Sequence, residues 1–170
     1  MSFLYWNKWE KHLVSFWDKY LNELKNKSRQ NTILEIGSYK GKSTCWMLEN
    51  LASNPKSVIY ALDTWEGSPE YAADLSFKTV EKEFDENTKQ TKRTNQLIKM
   101  KMKSSEGLNI LIEKEARFDF IYIDASHEAR DVIVDAVLSW QILKPCGIII
   151  FDDYEWDQLE QDYFRPKMAI

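Results

Sequence analysis

Six ionisable side chains of this 170-residue sequence lie in or just after short apolar runs. They are Glu35 in Ile33-Leu34-Glu35-Ile36-Gly37, Asp63 after Ala61-Leu62, Asp124 and His127 after Ile121-Tyr122-Ile123, and Asp152 and Asp153 after Ile150-Phe151. Charge beside a core is costly unless it is paired or coordinated, so these positions are candidates for chemistry. If their strands are neighbours, Asp124, Asp152 and Asp153 converge, and three close carboxylates at neutral pH call for a cation. An all-oxygen set suits Mg²⁺, Ca²⁺ or Mn²⁺ and not Zn²⁺. The competing reading is that some of the three cap the loops that follow while the others face solvent. His127, three residues after Asp124, is a candidate general base or further ligand, or else only caps a helix start.

The second constellation is Glu35-Ile36-Gly37-Ser38-Tyr39-Lys40-Gly41-Lys42-Ser43-Thr44, an apolar strand running into a glycine loop and then a helix. Gly37 permits a sharp turn at the strand end, Gly41 would let backbone approach a ligand, and the helix start offers free N–H groups. The loop is one residue shorter than the G-x-x-x-x-G-K-[ST] phosphate loop, which changes the direction of every donor in the cradle. It also lacks G-x-G-x-x-G, because Tyr39 stands two residues past Gly37. Asp63 follows Gly37 by 26 residues, near the spacing at which an acid reaches ribose hydroxyls, although an N-cap role is an alternative. Glu35 must find donors in the loop or on a ligand's amino group.

These residues need a scaffold that brings strand ends together. From Thr32 the pattern alternates, with strands at 32–37, 57–63, 97–103, 118–124 and 147–152 and helices at about 42–53, 74–95, 105–114 and 128–143. That is an α/β, doubly wound and mostly parallel sheet, which binds ligands beyond the carboxyl ends of its strands. Ahead of it, residues 3–25 place Trp6, Trp9, Leu13, Phe16, Trp17, Tyr20, Leu21 and Leu24 at helical spacing. The expected organisation is an amphipathic aromatic helix in 1–30, as packing helix or lid, and a Rossmann-like domain in 31–170. Phe84-Asp85-Glu86-Asn87 is expected to form part of a lid.

A chain of this length with 44% hydrophobic residues suits one domain. No apolar run approaches the ~20 residues of a membrane span, and no signal-peptide pattern opens the sequence, so a cytoplasmic protein without a membrane partner is expected. The net charge of -4 argues against nucleic acid, although residues 78–103 carry eight basic groups against four acidic. Two cysteines without C-x-x-C spacing imply neither a disulfide framework nor a zinc site.

Taken in order, Glu35-to-Ser43, Tyr60-Ala-Leu-Asp63-Thr-Trp65-Glu-Gly67, Phe118-Asp-Phe-Ile-Tyr-Ile-Asp124-Ala-Ser-His127 and Leu143-to-Asp153 resemble the class I S-adenosylmethionine-dependent methyltransferases. Within them the likeness is to the small-molecule O-methyltransferases of the macrocin-type and catechol-type group. The resemblance implies that Gly37, Ser38, Gly41 and Ser43 surround the methionine part of S-adenosylmethionine, with Glu35 a candidate contact to the cofactor's amino group or a structural support of the loop. It implies that Asp63 holds the ribose, with Trp65, Ser105 and Asp124 as further cofactor contacts. It also implies a divalent cation, Mg²⁺ first, on Asp124, Asp152 and Asp153; His127 and Asp124 are the candidate catalytic groups. The acceptor would be a hydroxyl of a small molecule, a sugar among the candidates. Two positions depart from the pattern: Ser104 stands where many such enzymes carry an acid, and Cys146 replaces a usual glycine. The fold normally continues into a helix and an antiparallel hairpin beyond Ile170, so a truncated domain or a homo-oligomer that covers the edge is expected. The alternatives are a P-loop-like NTPase or kinase, favoured by Gly41-Lys42-Ser43, and a non-catalytic cofactor-binding or assembly module.

Overall fold

A computed structural model describes residues 11–67, 78–155, 161 and 164–170, and the side chains from Ser15 onward. Five strands, β1 (Thr32–Ile36), β2 (Val58–Asp63), β3 (Leu97–Lys101), β4 (Phe118–Ile123) and β5 (Leu143–Phe151), form one sheet in the order β3-β2-β1-β4-β5. Every pairing is parallel. The central strands are continuous apolar runs because both faces are covered, and all six residues of β4 are buried. Helices α1 (Lys11–Tyr20), α2 (Lys42–Asn50), α3 (Val80–Gln90), α4 (Ser104–Glu113) and α5 (Ala129–Ile142) supply that cover.

The alternation of side chains along the strands divides the core in two. Ile33, Ile59, Phe120 and Tyr122 pack with Trp17 of α1 and with Trp46, Met47 and Leu48 of α2. On the opposite face Leu34, Ile36, Leu62, Ile121 and Ile123 pack with Leu108 and Leu111 of α4 and Ile142 of α5. Phe84 and Val80 of α3 join Ala61 and Trp65 beside the first layer. Among the described residues no helix is long and apolar enough to cross a membrane.

The expected 3–25 helix is realised over Lys11–Tyr20, followed by a 3-10 turn at Asn22–Lys25; Trp6 and Trp9 lie outside the described residues, as does the side chain of Leu13. Its aromatic face is not uniformly buried. Trp17, Leu21 and Leu24 are buried, whereas Phe16 and Tyr20 are 46% and 49% exposed. Trp17 makes edge contacts with Trp46 and Tyr122, both at 4.9 Å between ring centroids, and with Phe120 at 6.2 Å. Its place is in the sheet core.

Strand β5 starts earlier than the sequence pattern indicates. Leu143 pairs with Phe118 directly after α5, and the register then shifts, with Phe120 opposite Ile148. The slack falls at Lys144-Pro145-Cys146-Gly147, where Cys146 takes a φ of 62°. Asp119 anchors that end of the sheet by accepting from Thr32 N (2.8 Å), Lys144 Nζ (2.7 Å) and Arg29 Nη2 (3.2 Å). On α5 the outward Ile133, Val137 and Trp140 are 48%, 57% and 72% exposed, while Asp135 and Ser139 face inward.

Trp17→Ala should cost about 3–5 kcal/mol in urea unfolding, the range for emptying a large aromatic site. Phe16→Ala should stay within about 0.5 kcal/mol. Equal small losses for both would mean that α1 is not part of the core.

Candidate functional site

The sheet order reverses between β1 and β4, and the ligand crevice of such sheets lies at the carboxyl ends of the strands flanking that point. There Gly37 is wedged against the β4 end. Its φ is 84°, and a Cβ on it would lie 1.9 Å from the carbonyl oxygen of Asp124, so no side chain is tolerated. Asp124 N donates to Ile36 O at 2.8 Å and locks the two strand ends together.

Glu35 lies fully buried beneath the loop. Its Oε2 accepts from Ser38 Oγ at 2.6 Å and from the hydroxyl of Thr44, while Oε1 is buried with no donor among the described residues. Burial pushes this carboxyl up to about 7 against the opposing pull of the Ser38, Ser43 and Thr44 hydroxyls, with nearby Asp63 adding to the rise. The first turn of α2 thus presents its hydroxyls to the acid, which is why Ser43 and Thr44 are buried.

Asp63, expected at a ribose or at an N-cap, meets backbone N–H groups of the chain itself. Its Oδ2 accepts from both Ser38 N and Tyr39 N at 2.8 Å, and its Oδ1 accepts from Trp65 N at 2.7 Å. The acid at the end of β2 is a clamp on the glycine loop. Trp65, only 4% exposed, completes the clamp by donating its indole N–H to Tyr39 O at 2.9 Å. Its ring packs on Phe84 at 4.9 Å between centroids. Gly41, with a φ of 80°, is bare because Phe84 occupies the space, its ring lying 2.8 Å from where a Cβ would stand. Asn87 Nδ2 donates to Lys40 O at 2.8 Å. The expected lid of Phe84 and Asn87 is therefore a buried support for the loop, because both side chains point inward and are spent on it.

Ser105 sits in the first turn of α4 at the carboxyl end of β3, where its carbonyl accepts from Asn109. Its neighbour Ser104 hydrogen-bonds the buried Asp135 of α5, whose carboxyl is pushed up to about 6 by burial. The position that departs from the family pattern ties two helices together.

Beyond β4 and β5 the acids gather as expected, with one exchange of members. Asp124, His127 and Asp153 each offer a ligand atom within 4.8 Å of the others. His127 Nε2 lies 3.0 Å from Asp153 Oδ2. Asp152 stands outside that group: its Oδ2 accepts from the hydroxyl of Tyr122, and its Oδ1 from Asp153 N at 3.0 Å. The same Tyr122 hydroxyl lies 3.2 Å from Asp124 Oδ2. Burial, then Asp152, Asp153 and Glu35, push Asp124 up to about 8, so it holds a proton at neutral pH. Ahead of α5, Ser126 Oγ accepts from Glu128 N and donates to Asp131. Tyr122 escaped the sequence reading, although its spacing of two from Asp124 on a strand places both on one face. Asp124, His127, Asp152 and Asp153 line a narrow cleft with Ser126 and Pro166. A wider open depression of about 550 Å³ on Asn22, Lys25 and Arg29 lies at the other end of the strands, away from this chemistry.

A family model described as "Methyltransferase domain" matches residues 34–154. No curated protein matches the chain. Among solved structures, an O-methyltransferase from Bacillus cereus in complex with SAH superposes with a TM-score of 0.65 at 19% identity, over 88% of this chain and 59% of that one. The O-methyltransferase TomG from Streptomyces achromogenes, involved in tomaymycin synthesis and in complex with SAM, gives 0.61 at 15% identity, over 84% and 60%. MycE methyltransferase from the mycinamycin biosynthetic pathway, with Mg, SAH and mycinamycin VI, gives 0.56 at 18%, over 91% and 36%. The chain therefore spans 36–60% of the length of these three structures.

Folded Glu35 keeps its proton to about pH 7, whereas the unfolded chain releases it near 4.5. The folded state then binds more protons across that window, so stability falls as pH rises through it. Thermal melts should show this decline, and Glu35→Gln should remove its share, leaving the slope from Asp124 that extends to about pH 8. An unaltered slope in the variant would count against a buried, protonated Glu35.

Proposed function

Because the chain belongs to the methyltransferase-domain family over residues 34–154, we propose that it transfers a methyl group from S-adenosylmethionine to a hydroxyl of a small molecule, assisted by a divalent cation. The observation that carries this reading is the acid on both sides of the glycine loop. Among the described residues, Glu35 retains an oxygen without a donor and Asp63 Oδ1 accepts one bond, which leaves a lone pair for a ribose hydroxyl. A cationic, hydroxyl-rich ligand fits such a loop. A polyphosphate does not, because Asp63 already takes the Ser38 and Tyr39 N–H groups that a phosphate cradle needs. That geometry disfavours the NTPase alternative.

When bound, the cofactor supplies a sulfonium methyl open to in-line displacement, and a divalent cation lowers the pKa of an acceptor hydroxyl. In this proposal Gly37, Ser38, Gly41 and Ser43 shape the methionine end of the crevice. Asp63 takes the ribose, Ser105 flanks the adenosine, and Trp65 acts through the loop it pins. Asp124 and Asp153 would hold the cation together with Asp152, an oxygen-rich set suited to Mg²⁺ or Mn²⁺. His127, oriented by Asp153, accepts the hydroxyl proton. Holding the two reactants in line at near-attack distance provides much of the acceleration. A sugar hydroxyl is one acceptor class.

Isothermal titration should show binding of S-adenosylmethionine and none of ATP; the reverse result would overturn the proposal. Asp63→Ala should weaken cofactor binding by roughly 1.5–3 kcal/mol, the range for a lost hydrogen bond to a charged group. Unchanged affinity in a folded variant would remove Asp63 from the ribose.

A further inference from the structure

The Tyr122 hydroxyl stands between two carboxylates at the ends of different strands, donating to Asp152 Oδ2 and lying 3.2 Å from Asp124 Oδ2. The side chain is 1% exposed. Its ring is held edge-on by Trp17 at 4.9 Å, so the hydroxyl cannot swing away to water. Nothing in the proposed methyl transfer requires a phenol here, and a phenylalanine would fill the same core space. We propose that Tyr122 is a positioning residue for the divalent cation: from beneath the site it fixes the directions of the Asp124 and Asp152 carboxylates. The inference rests on the cation reading of the preceding subsection.

A hydroxyl set between the two carboxyl groups, donating to Asp152 and 3.2 Å from Asp124, holds them at a set separation. Asp153 N, donating to Asp152 Oδ1, fixes the second oxygen of the same carboxylate. Asp152 thus enters any cation complex with its orientation set from two sides. Hydrogen bonds of this outer kind change metal affinity by about 10–100-fold when removed. The assignment also gives α1 a purpose at the site, because Trp17 is what keeps the phenol in place.

The test uses Mn²⁺ as the probe, titrated into wild type, Tyr122→Phe, Asp152→Asn and the double variant. Phenylalanine keeps the ring against Trp17, and S-adenosylhomocysteine titrated into the same samples reports an intact crevice. Wild type should bind Mn²⁺, Tyr122→Phe should bind it about 10–100-fold more weakly, and S-adenosylhomocysteine affinity should hold within about twofold. If the phenol acts through Asp152, the double variant should be little weaker than the weaker single one, since coupled residues are non-additive. Equal Mn²⁺ affinity in wild type and Tyr122→Phe would overturn the positioning role and leave the cation reading standing. Fully additive losses, or a parallel loss of S-adenosylhomocysteine binding, would reduce Tyr122 to a packing residue. Failure of wild type itself to bind Mn²⁺ would bring down the cation reading and this inference together.

Discussion

A carboxylate can be kept beside an apolar sheet only if donors reach it or a proton neutralises it. The carboxyl ends of β1, β2, β4 and β5 are arranged around that constraint. Asp63 accepts from three backbone N–H groups, Glu35 accepts from side-chain hydroxyls on one of its two oxygens, and Asp152 accepts from a phenol and an N–H. Asp124 has the poorest set of donors and the strongest upward push on its pKa. The differences among these four acids, more than their number, give the site its chemistry: one clamps, one underlies the loop, one is oriented, and one is left neutral.

That arrangement needs rigid neighbours, and the two helices on the aromatic side of the sheet supply them. Helix α3 sets Phe84 and Asn87 under the glycine loop, and α1 sets Trp17 behind Tyr122. Both helices were candidates for mobile or accessory elements on sequence grounds. In the structure each is one layer removed from the acids and fixes a residue that touches them. Large aromatic side chains suit this task because they bury much surface with few rotatable bonds.

The strand ends were legible because burial on both faces forces long apolar runs, so an acid that interrupts or ends such a run is conspicuous. The same reasoning located Glu35, Asp63, Asp124, Asp152 and Asp153, and the glycine loop between β1 and α2. What it did not give was the use of each group. Asp63 clamping the loop depends on where Ser38 N and Tyr39 N point, and Gly41 facing Phe84 depends on how α3 docks; neither is written in local spacing. Tyr122 was hidden because a tyrosine inside an apolar strand looks like core, and only the parallel pairing of β4 with β5 brings its hydroxyl to Asp152. The early start of β5 was hidden because Lys144-Pro145-Cys146-Gly147 carries turn signals, which the register shift absorbs within the strand.

Besides its own Gly41 N to Ser38 O bond, the glycine loop is held from elsewhere in the chain: by Asp63 and Trp65 after β2, and by Asn87 in α3. It is therefore not a portable cassette. Transplanted alone onto another parallel sheet, Gly37-Ser38-Tyr39-Lys40-Gly41 would lose the contacts that hold Tyr39 at its positive φ and would relax to another shape. An engineer or a recombination event moving this loop would have to move its distant supports with it, so that the unit of exchange includes β2, α3 and the β4 end on which Gly37 packs rather than the five residues themselves.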